Sequence, residues 1–372
     1  MTRVLVALAL ILASCASPSA TPSAAPTTPS ATALSASPTA AASPTAAAVD
    51  PSRYGYVLPS NRRVVVRPER ATDSVIATDG DQPAASADGK RIAFWRAGPQ
   101  GNNPWELRVM DVPGGAEQRL MSIAAGLEGG SIVWSNDGTG LLYEVHSSQQ
   151  LPGAGGGPQS SALESFDLST PQAPAATHSE LRLTGGEFVP LSWDKPGLLA
   201  TALVTGEGGF ARSYVTWDRR AQSAAQSPVK FTQFPWSIVA FTVQASPDAK
   251  RTLAIDGEAN VLRIWSGGDV AAAVMVAPGT AQLSDARWRP GTPADVAWVV
   301  DNNLAVFTYQ TNNVRTIHRG QNMVRILSWR ADGSGIVLNE MGRVNFVVEM
   351  SSGQATELSD FGGVIAGAVL LR

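Results

Sequence analysis

Cysteine, histidine and lysine are scarce in this chain of 372 residues, and each scarcity excludes a class of structure or function. The chain has one cysteine, so no disulfide can form within it. The three histidines, His146, His178 and His318, lack metal-binding spacings and predict neither a transition-metal centre nor histidine-based catalysis. Lysine contributes few of the 28 basic residues, and the formal net charge is -3, so no basic stripe for nucleic acid is indicated.

Two further absences narrow the possible functions. No apolar run reaches the roughly 20 residues that a membrane-spanning helix needs. No Gly-x-Ser-x-Gly motif is present, so a serine hydrolase is not indicated. Short acidic loops at 79–81 and 301–303 are interpreted as solvated turns rather than calcium sites. We therefore predict no catalytic residue, no metal and no cofactor.

The N-terminus contains an export signal. Arg3 precedes an apolar run over residues 4–12, which is too short to span a bilayer but is typical of a signal peptide. The run ends in Leu-Ala-Ser-Cys at Cys15, which resembles the lipobox of bacterial lipoproteins. The resemblance implies that residues 1–14 are removed and that Cys15 carries a diacylglycerol and a further acyl chain such as palmitate. An ordinary secretory signal is the alternative.

Residues 15–50 are interpreted as the lipidated cysteine followed by a disordered tether. Positions 16–49 consist almost entirely of Ala, Ser, Pro and Thr, with no charged or aromatic residue. Such a composition cannot bury enough apolar surface to offset the entropy lost on ordering. We therefore predict an exported protein that is anchored by Cys15 to the outer face of a bacterial membrane.

A hairpin pattern recurs through residues 51–372. In its last copy, ILSWRADGSGIVL at residues 326–338, two apolar strands flank an Asp-Gly turn. Six copies can be aligned on the end of the first strand, with tryptophan at four of the six positions: Ala85, Trp134, Trp193, Ala245, Trp288 and Trp329. Four short strands recurring every 40 to 60 residues or so are the signature of a β-propeller. We predict that the tryptophans pack between blades and that the aspartates of the hairpins, Asp88, Asp137, Asp248 and Asp332, form turns.

The number of blades depends on the two ends of the domain. Six units account for residues 81–363, residues 54–78 offer three strands, and residues 364–371 offer one. We predict an all-β propeller of seven four-stranded blades, in which N- and C-terminal strands together close one blade and remove free sheet edges. Six blades with a loose N-terminal segment is the alternative.

Three of the hairpins resemble the repeats of TolB-type propellers. They read SADGKRIAFW, SPDAKRTLAI and WRADGSGIVL, and Trp217-Asp218 resembles the end of a WD repeat. The Gly-His dipeptide of WD repeats is absent, and only one repeat carries Trp-Asp. The chain therefore resembles TolB-like and WD-like propellers in architecture, which implies a fold but no particular activity.

The loops between second and third strands predict where a partner binds. They are long at 97–104, 147–161 and 205–212, and short at 257–260, 301–303 and 341–343. We therefore predict a raised binding rim on one side of that face, formed by Trp105, Gln149, Gln150, Glu207, Phe210 and Arg212.

The sequence favours a protein-binding or scaffolding module with a partner in the cell envelope. One alternative is a propeller enzyme acting on extracellular carbohydrate, with Glu207, Glu258 and Asp301 converging on the central channel at the separation of about 5 to 9 Å typical of glycosidases. Another is a sensor domain for an envelope partner. The sequence does not determine the oligomeric state.

Overall fold

The computed structural model describes residues 50–97, 104–149, 158–169, 177–195, 197–206, 209–218, 229–239, 242–277, 279–341, 345–358, 361 and 364–371. For residues 51, 177–179, 198–206 and 209–211 only the backbone is described. Cys15, the signal peptide and the tether lie outside the described residues, so these predictions stay predictions.

The described chain is built from short β-strands, with 3₁₀ turns at Pro51–Arg53 and Val270–Ala272. In chain order the strands are β1 (Tyr54–Ser60), β2 (Arg63–Pro68), β3 (Ile76–Asp79), β4 (Asp81–Ala85), β5 (Arg91–Arg96), β6 (Glu106–Asp111), β7 (Glu117–Ser122), β8 (Leu127–Trp134), β9 (Gly140–Ser147), β10 (Ser160–Asp167), β11 (Thr177–Thr184), β12 (Gly186–Trp193), β13 (Gly197–Gly206), β14 (Gly209–Asp218), β15 (Val229–Gln233), β16 (Gln244–Ala245), β17 (Arg251–Asp256), β18 (Val261–Ser266), β19 (Val274–Val276), β20 (Leu283–Arg289), β21 (Thr292–Val300), β22 (Asn303–Thr308), β23 (Asn313–Arg319), β24 (Val324–Trp329), β25 (Gly335–Glu340), β26 (Asn345–Glu349), β27 (Ala355–Glu357) and β28 (Gly367–Leu370).

These strands form seven four-stranded antiparallel sheets. Blades 1 to 6 are continuous segments of four strands each, from β4–β7 through β24–β27, and blade 7 has the order β28-β1-β2-β3. The first strands contact one another in cyclic order, from β4 through β8, β12, β16, β20 and β24 to β28, which contacts β4 again. The prediction of an all-β propeller is confirmed, including the blade shared by the two chain ends. Six of the seven blades are each formed by one continuous segment of the chain, and the seventh combines strands from two separate segments.

Blade 7 combines the C-terminal strand with the N-terminal strands, as predicted. β28 pairs with β1 from Tyr54 opposite Leu370 to Val57 opposite Gly367. Val369 is fully buried between the neighbouring blades. The C-terminal strand therefore takes the innermost position and covers the edge that β1 would otherwise expose.

Tryptophans at the ends of the first strands pack between blades, as predicted. Trp134, Trp193, Trp288 and Trp329 are all at most 7% exposed. The indole nitrogen of Trp134 donates to the carbonyl of Ala84 at 2.9 Å, and that of Trp288 donates to the carbonyl of Gln244 at 3.3 Å. Each of these bonds ties a first strand to the first strand of the preceding blade.

The aspartates of the hairpins form turns, as predicted. Ser86 donates its hydroxyl to Asp88 at 2.6 Å, and the same Asp88 oxygen accepts the Lys90 N–H at 3.1 Å. Equivalent bonds form at Ser135 with Asp137 and at Ser246 with Asp248. Burial alone raises the pKa of Asp88, but these hydrogen bonds outweigh it and hold the pKa below its ordinary value.

The strand directions define two faces of the ring. The turn face carries the turns between first and second strands and between third and fourth strands of each blade. The loop face carries the loops between second and third strands and the connections from blade to blade. The strand ends that flank 97–104 and 147–161 lie on the loop face. The long loop predicted at 205–212 is wrong, because β13 and β14 continue their pairing as far as Gly206 opposite Gly209.

Candidate functional site

The predicted rim residues are only partly within the described chain. Gln150 and Glu207 lie outside it, and so does the side chain of Phe210. Gln149 is exposed on the loop face, where its carbonyl accepts the N–H of Gln159 at 3.0 Å. Trp105 is half-buried and packs against the apolar core between blades 1 and 2. Whether these positions form a binding rim stays a prediction.

The loop-face ends of blades 2 and 3 bring together a group that we call the blade 2–3 polar cluster. Its members are Glu128, Glu144, His146, Glu187 and Arg212. The Nε2 atom of His146 lies 3.8 Å from a Glu128 carboxylate oxygen, and its Nδ1 atom lies 3.7 Å from a Glu144 oxygen. The cluster thus surrounds one imidazole with three carboxyl groups and places Arg212 nearby.

Glu144 is the buried centre of this cluster. Its side chain is 1% exposed, and one oxygen accepts the Ser161 hydroxyl at 2.8 Å. Ser161 also accepts the backbone N–H of Phe188 in blade 3 at 3.3 Å, so the same bonds join the two blades. Gly130 is needed beside it, because a Cβ atom there would collide with the second Glu144 oxygen. Because solvent screens a buried carboxylate poorly, such a group shifts the pKa values of its neighbours.

The pKa values of His146 and Glu187 are both raised, as expected for an imidazole and a carboxyl group that lie close to other carboxyl groups. Glu144 is the largest cause that raises the pKa of His146. Glu128 and Glu187 raise this pKa further, whereas burial lowers it. Burial is the largest cause raising the pKa of Glu187; Glu144 adds to it, while His146 and Arg212 oppose it. Both groups therefore retain a proton at higher pH than they would in an unfolded chain.

The cluster does not meet the requirements of a metal site. Within the described residues, no three His, Cys, Asp or Glu side chains come together in an arrangement that could hold a metal ion. His318 belongs to blade 5, where its ring lies against Phe346 at a centroid distance of 4.9 Å. The side chain of His178 lies outside the described residues.

The three carboxylates of the enzyme alternative have separate surroundings. Asp301 accepts the backbone N–H of Gln282 at 2.6 Å and so caps the connection into blade 5. Glu258 is exposed in the turn between β17 and β18, and Glu207 lies outside the described residues. Their convergence on the channel stays a prediction.

A second feature of the loop face, which we call the loop-face patch, is apolar. Met323, Met341 and Val364 are 36%, 57% and 73% exposed. Met323 lies in the connection into blade 6, Met341 follows β25, and Val364 lies in the connection into blade 7. The backbone N–H of Met341 donates to the carbonyl of Met323 at 2.9 Å, so these two residues are neighbours.

A buried carboxylate fixes the backbone beneath this patch. Glu340 is 1% exposed, and one of its oxygens accepts the N–H groups of Gln321 and Asn322 at 2.7 and 2.8 Å. The connection that carries Met323 is therefore held against the end of β25. The loop-face patch was not predicted from the sequence, because it lies in blades 6 and 7, away from the long loops. Of the polar cluster, only Arg212 was predicted as a site residue, because its partners are brought to it by pairing between distant strands.

The described part of the chain contains no helix that is both long enough and apolar enough to cross a membrane.

Comparison with known proteins identifies the fold and no family. The chain matches no protein-family model and no curated protein. The β-propeller domain of the Trilobed protease from Pyrococcus furiosus is 13% identical over 84% of this chain and 100% of that one, with a TM-score of 0.51. Oligogalacturonate lyase from Vibrio parahaemolyticus is 12% identical over 78% of this chain and 88% of that one, with a TM-score of 0.53.

TolB from Acinetobacter baumannii is 16% identical over 86% of this chain and 66% of that one, with a TM-score of 0.44. This chain therefore covers about two thirds of the length of that protein. The two matches with TM-scores above 0.5 show a shared β-propeller fold and nothing about activity.

Proposed function

We propose that this chain is a lipid-anchored β-propeller of the bacterial cell envelope that binds a protein partner through its loop face. The ring is closed by strand pairing between the two chain ends, which makes it a rigid platform. Function then depends on what the two faces present to solvent.

The observation that carries the proposal is the loop-face patch. Exposed large apolar side chains on a soluble surface mark interaction sites when they occur together. Met323 and Met341 are linked through their backbones, and Glu340 holds the loop that carries Met323. Methionine is flexible and polarizable, so it adapts to the surface of a partner. A fixed backbone with adaptable side chains lowers the entropy lost on binding.

The proposed location, attached to a membrane of the bacterial cell envelope, rests on the sequence. The lipobox ending in Cys15 supports membrane attachment, and the tract of 34 residues from 16 to 49 supports a flexible spacing from the membrane. A flexible chain of that length has an end-to-end distance of roughly 30 Å. Such a tether would let the loop face reach a partner in the same membrane or in the adjoining layer.

Capture of partners by full-length protein from its native envelope tests the binding role. The test variant is Met323→Asp combined with Met341→Asp, which places two charges on the patch. The matched control is Met275→Asp, at a residue 61% exposed on the outermost strand of blade 4. We expect a captured partner to be lost with the double variant and retained with the control.

Two further results separate the possible locations of the binding site. A variant with loop 147–161 and the end of the β13–β14 hairpin at 205–212 shortened tests the rim that the sequence predicted. Loss of the partner with the shortened loops alone would place binding on the long-loop side and would contradict the role of the patch. A partner retained by all three variants would exclude both surfaces.

Membrane attachment has a separate test. We expect Cys15→Ser to move the protein from the membrane fraction to the soluble fraction of the envelope, because the thiol that carries the acyl chains is absent. Mass spectrometry of the N-terminal peptide should show the acyl mass in the native chain alone. Equal membrane fractions for both proteins would contradict lipidation at Cys15.

A second candidate, an enzyme acting on an extracellular carbohydrate, is favoured by the blade 2–3 polar cluster. His146 and Glu187 both have raised pKa values and lie on the loop face, and proton transfer requires groups of this kind. The test is product release from a panel of polysaccharides with native chain, His146→Gln and Glu187→Gln. Turnover that both substitutions abolish would favour the enzyme over the binding module. A sensor domain for an envelope partner would give the same result as a binding module in the partner-capture experiment.

A further inference from the structure

The outermost strand of each blade pairs with one neighbour and leaves its other edge open. Natural sheets often prevent such edges from pairing with another chain by placing charged side chains on them. Six of the seven outermost strands have this protection: Asp79 in β3, Glu117 and Arg119 in β7, Glu180 and Arg182 in β11, Lys230 in β15, Arg315 and Arg319 in β23, and Glu357 in β27. The seventh, β19 of blade 4, reads Val-Met-Val and contains no charge.

The surroundings of β19 are apolar and free of unbalanced charge. Residues 270–284 contain no charged side chain. Val274 and Met275 are 50% and 61% exposed. The residue that β18 places opposite Met275 is Arg263, and its guanidinium is paired with Asp256 at 2.6 Å. An exposed apolar edge of this kind can accept a further strand.

The backbone of this edge is already ordered. Before it, the Asp269 carboxylate accepts the N–H of Ala272 at 3.2 Å, and Val270 in the same 3₁₀ turn is fully buried. Within it, Val276 packs against the apolar core between blades 4 and 5. The pairing of β19 with β18 has no register shift, whereas β7, β11 and β23 each have one, which twists a strand locally. A regular, ordered edge loses little entropy when another strand pairs with it.

The sequence of this edge is complementary to itself in antiparallel pairing. Residues 273–277 read Ala-Val-Met-Val-Ala, the same in both directions. A two-fold axis at Met275 therefore places Met275 opposite its own copy and Val274 opposite Val276 of the second copy. Apolar side chains then meet on both faces of the ladder, and no like charges are opposed. Because the pairing uses the open edge of both copies, assembly stops at two chains.

We propose that the β19 edge binds a second copy of this chain, so that two blade 4 sheets join into one antiparallel sheet of eight strands. The ladder is short, because Pro278 follows it and has no N–H to donate. A ladder of this length buries less than the roughly 1,200 to 2,000 Å² of a stable interface, so we expect a dissociation constant on the order of 10 to 100 μM. The inference is independent of the partner proposed for the loop face, since β19 lies on the outer wall of the ring.

Sedimentation velocity of the full chain with Cys15→Ser measures this association, from about a tenth of the expected constant to about ten times it. Adding Met275→Asp should weaken association by about tenfold or more, because the axis places the two carboxylates opposite each other. The matched control is Val314→Asp, at a residue 49% exposed on the outermost strand of blade 5, and it should change the constant by less than about twofold. A chain without either substitution that stays monomeric throughout, or equal weakening by both, overturns the proposal.

Oxidative cross-linking tests the register of the pair. In the Cys15→Ser background, Met275→Cys supplies the single thiol and lies opposite its copy, at a Cα separation of roughly 4.5 to 5.5 Å that a disulfide can span. Val274→Cys is the matched control, because its own copy lies two positions along the ladder, roughly 7 to 8 Å away. We expect Met275→Cys to form a disulfide-linked dimer several times faster than Val274→Cys. Equal rates, or no dimer from Met275→Cys, contradict the two-fold axis at Met275.

An extended segment of a different protein is the other possible occupant of this edge. Cross-linking of the Met275→Cys chain in its native envelope separates the two. A product with twice the mass of the chain supports a second copy, and a product that contains another protein in its place overturns that assignment. Met323 and Met341 are unchanged in Met275→Asp, so capture of a loop-face partner is measured separately from the dimer. Failure of one proposal therefore leaves the other standing.

Discussion

Position 249 holds an alanine in a backbone conformation that the equivalent turns reserve for glycine. The turns of blades 1, 2 and 6 have Gly89, Gly138 and Gly333 with φ of +69°, +67° and +69°, and Ala249 has φ of +53°. An L side chain at positive φ is strained, whereas glycine adopts this region without penalty. The strain is local because Ser246 and Asp248 make the same bonds here as in the other turns.

We therefore expect Ala249→Gly to stabilise the protein by about 0.5 to 1 kcal/mol, because removal of the strain outweighs the added freedom of the unfolded chain. Urea denaturation followed by tryptophan fluorescence measures the change. The reciprocal substitution Gly138→Ala should destabilise the protein by about 1 kcal/mol. A stabilising effect of Gly138→Ala would contradict the account.

His146 predicts a dependence of stability on pH. Its pKa is raised above 6.5 in the folded chain, mainly by Glu144, so the folded state binds the proton more tightly than the unfolded state. The stabilisation is complete below the unfolded pKa of 6.5 and is lost as pH rises through the folded pKa. Glu187, with a pKa raised above 4.5, acts in the same direction beginning at lower pH.

We expect the native chain to lose stability between about pH 6 and pH 8 more steeply than His146→Gln. Thermal unfolding across that range measures the difference in slope. Glu128→Gln should reduce the slope without abolishing it, since Glu144 remains. Parallel curves for the native chain and His146→Gln would exclude a raised pKa at this residue.

Among the elements of the fold, β24 and the turn after it form a distinctive junction with blade 7. Arg330 takes the place of the turn serine found at 86, 135 and 246. It is 1% exposed and donates to Glu69 at 2.8 and 2.6 Å and to Glu349 at 2.8 and 2.7 Å. Tyr56 donates to Glu69 at 2.9 Å, and Tyr54 lies under the guanidinium at 4.5 Å. Burial alone lowers the pKa of Arg330, but the bonds to both carboxylates outweigh it and raise the pKa above its ordinary value.

Removing this arginine should therefore be costly. We expect Arg330→Met to destabilise the protein by about 3 to 5 kcal/mol, because Glu69 would remain buried without its cation. Combining it with Glu69→Gln should recover part of that loss. The control Arg119→Met, at a side chain 62% exposed and paired with Glu106, should change stability by less than about 1 kcal/mol. Chemical denaturation compares the four proteins, and similar effects of Arg330→Met and Arg119→Met would refute the junction as a stabilising element.

At the scale of the whole molecule, stability depends on closure of the ring. β28 lies between β1, with which it pairs, and the first strands β4 and β24 of its neighbours, and Val369 is fully buried. Without β28, the edge of β1 would be unpaired and the cores on both sides would be open to water.

A chain that ends at Ala366 should accordingly lose on the order of 5 kcal/mol of stability, from buried apolar side chains and the ladder of β28. It should also aggregate through the exposed edge of β1. Calorimetry and size-exclusion chromatography measure the two effects. Val364→Ser, at a residue 73% exposed just before the strand, is the control and should unfold like the native chain. Unchanged unfolding of the shortened chain would mean that closure contributes little.

The sequence was sufficient for the architecture because the signals of a propeller are short-range. Hairpin turns such as Ser86 to Arg91 are specified by residues within a few positions, and the spacing of Trp134, Trp193, Trp288 and Trp329 repeats them around the ring. The sequence also assigned the strand of residues 364–371 to the blade of the N-terminal strands, and the structure places Leu370 opposite Tyr54 in that blade. Fold class, turn roles and the burial of the tryptophans followed from these local patterns.

The contacts between blades followed only from the tertiary structure, because they join residues that are distant in sequence. Arg330 and Glu69 are 261 positions apart, and they meet because the ring closes between blades 6 and 7. His146 looked like an isolated histidine until β8, β9 and β12 placed Glu128, Glu144 and Glu187 around it. Local turn chemistry determines the strands, whereas closure of the ring determines which side chains meet.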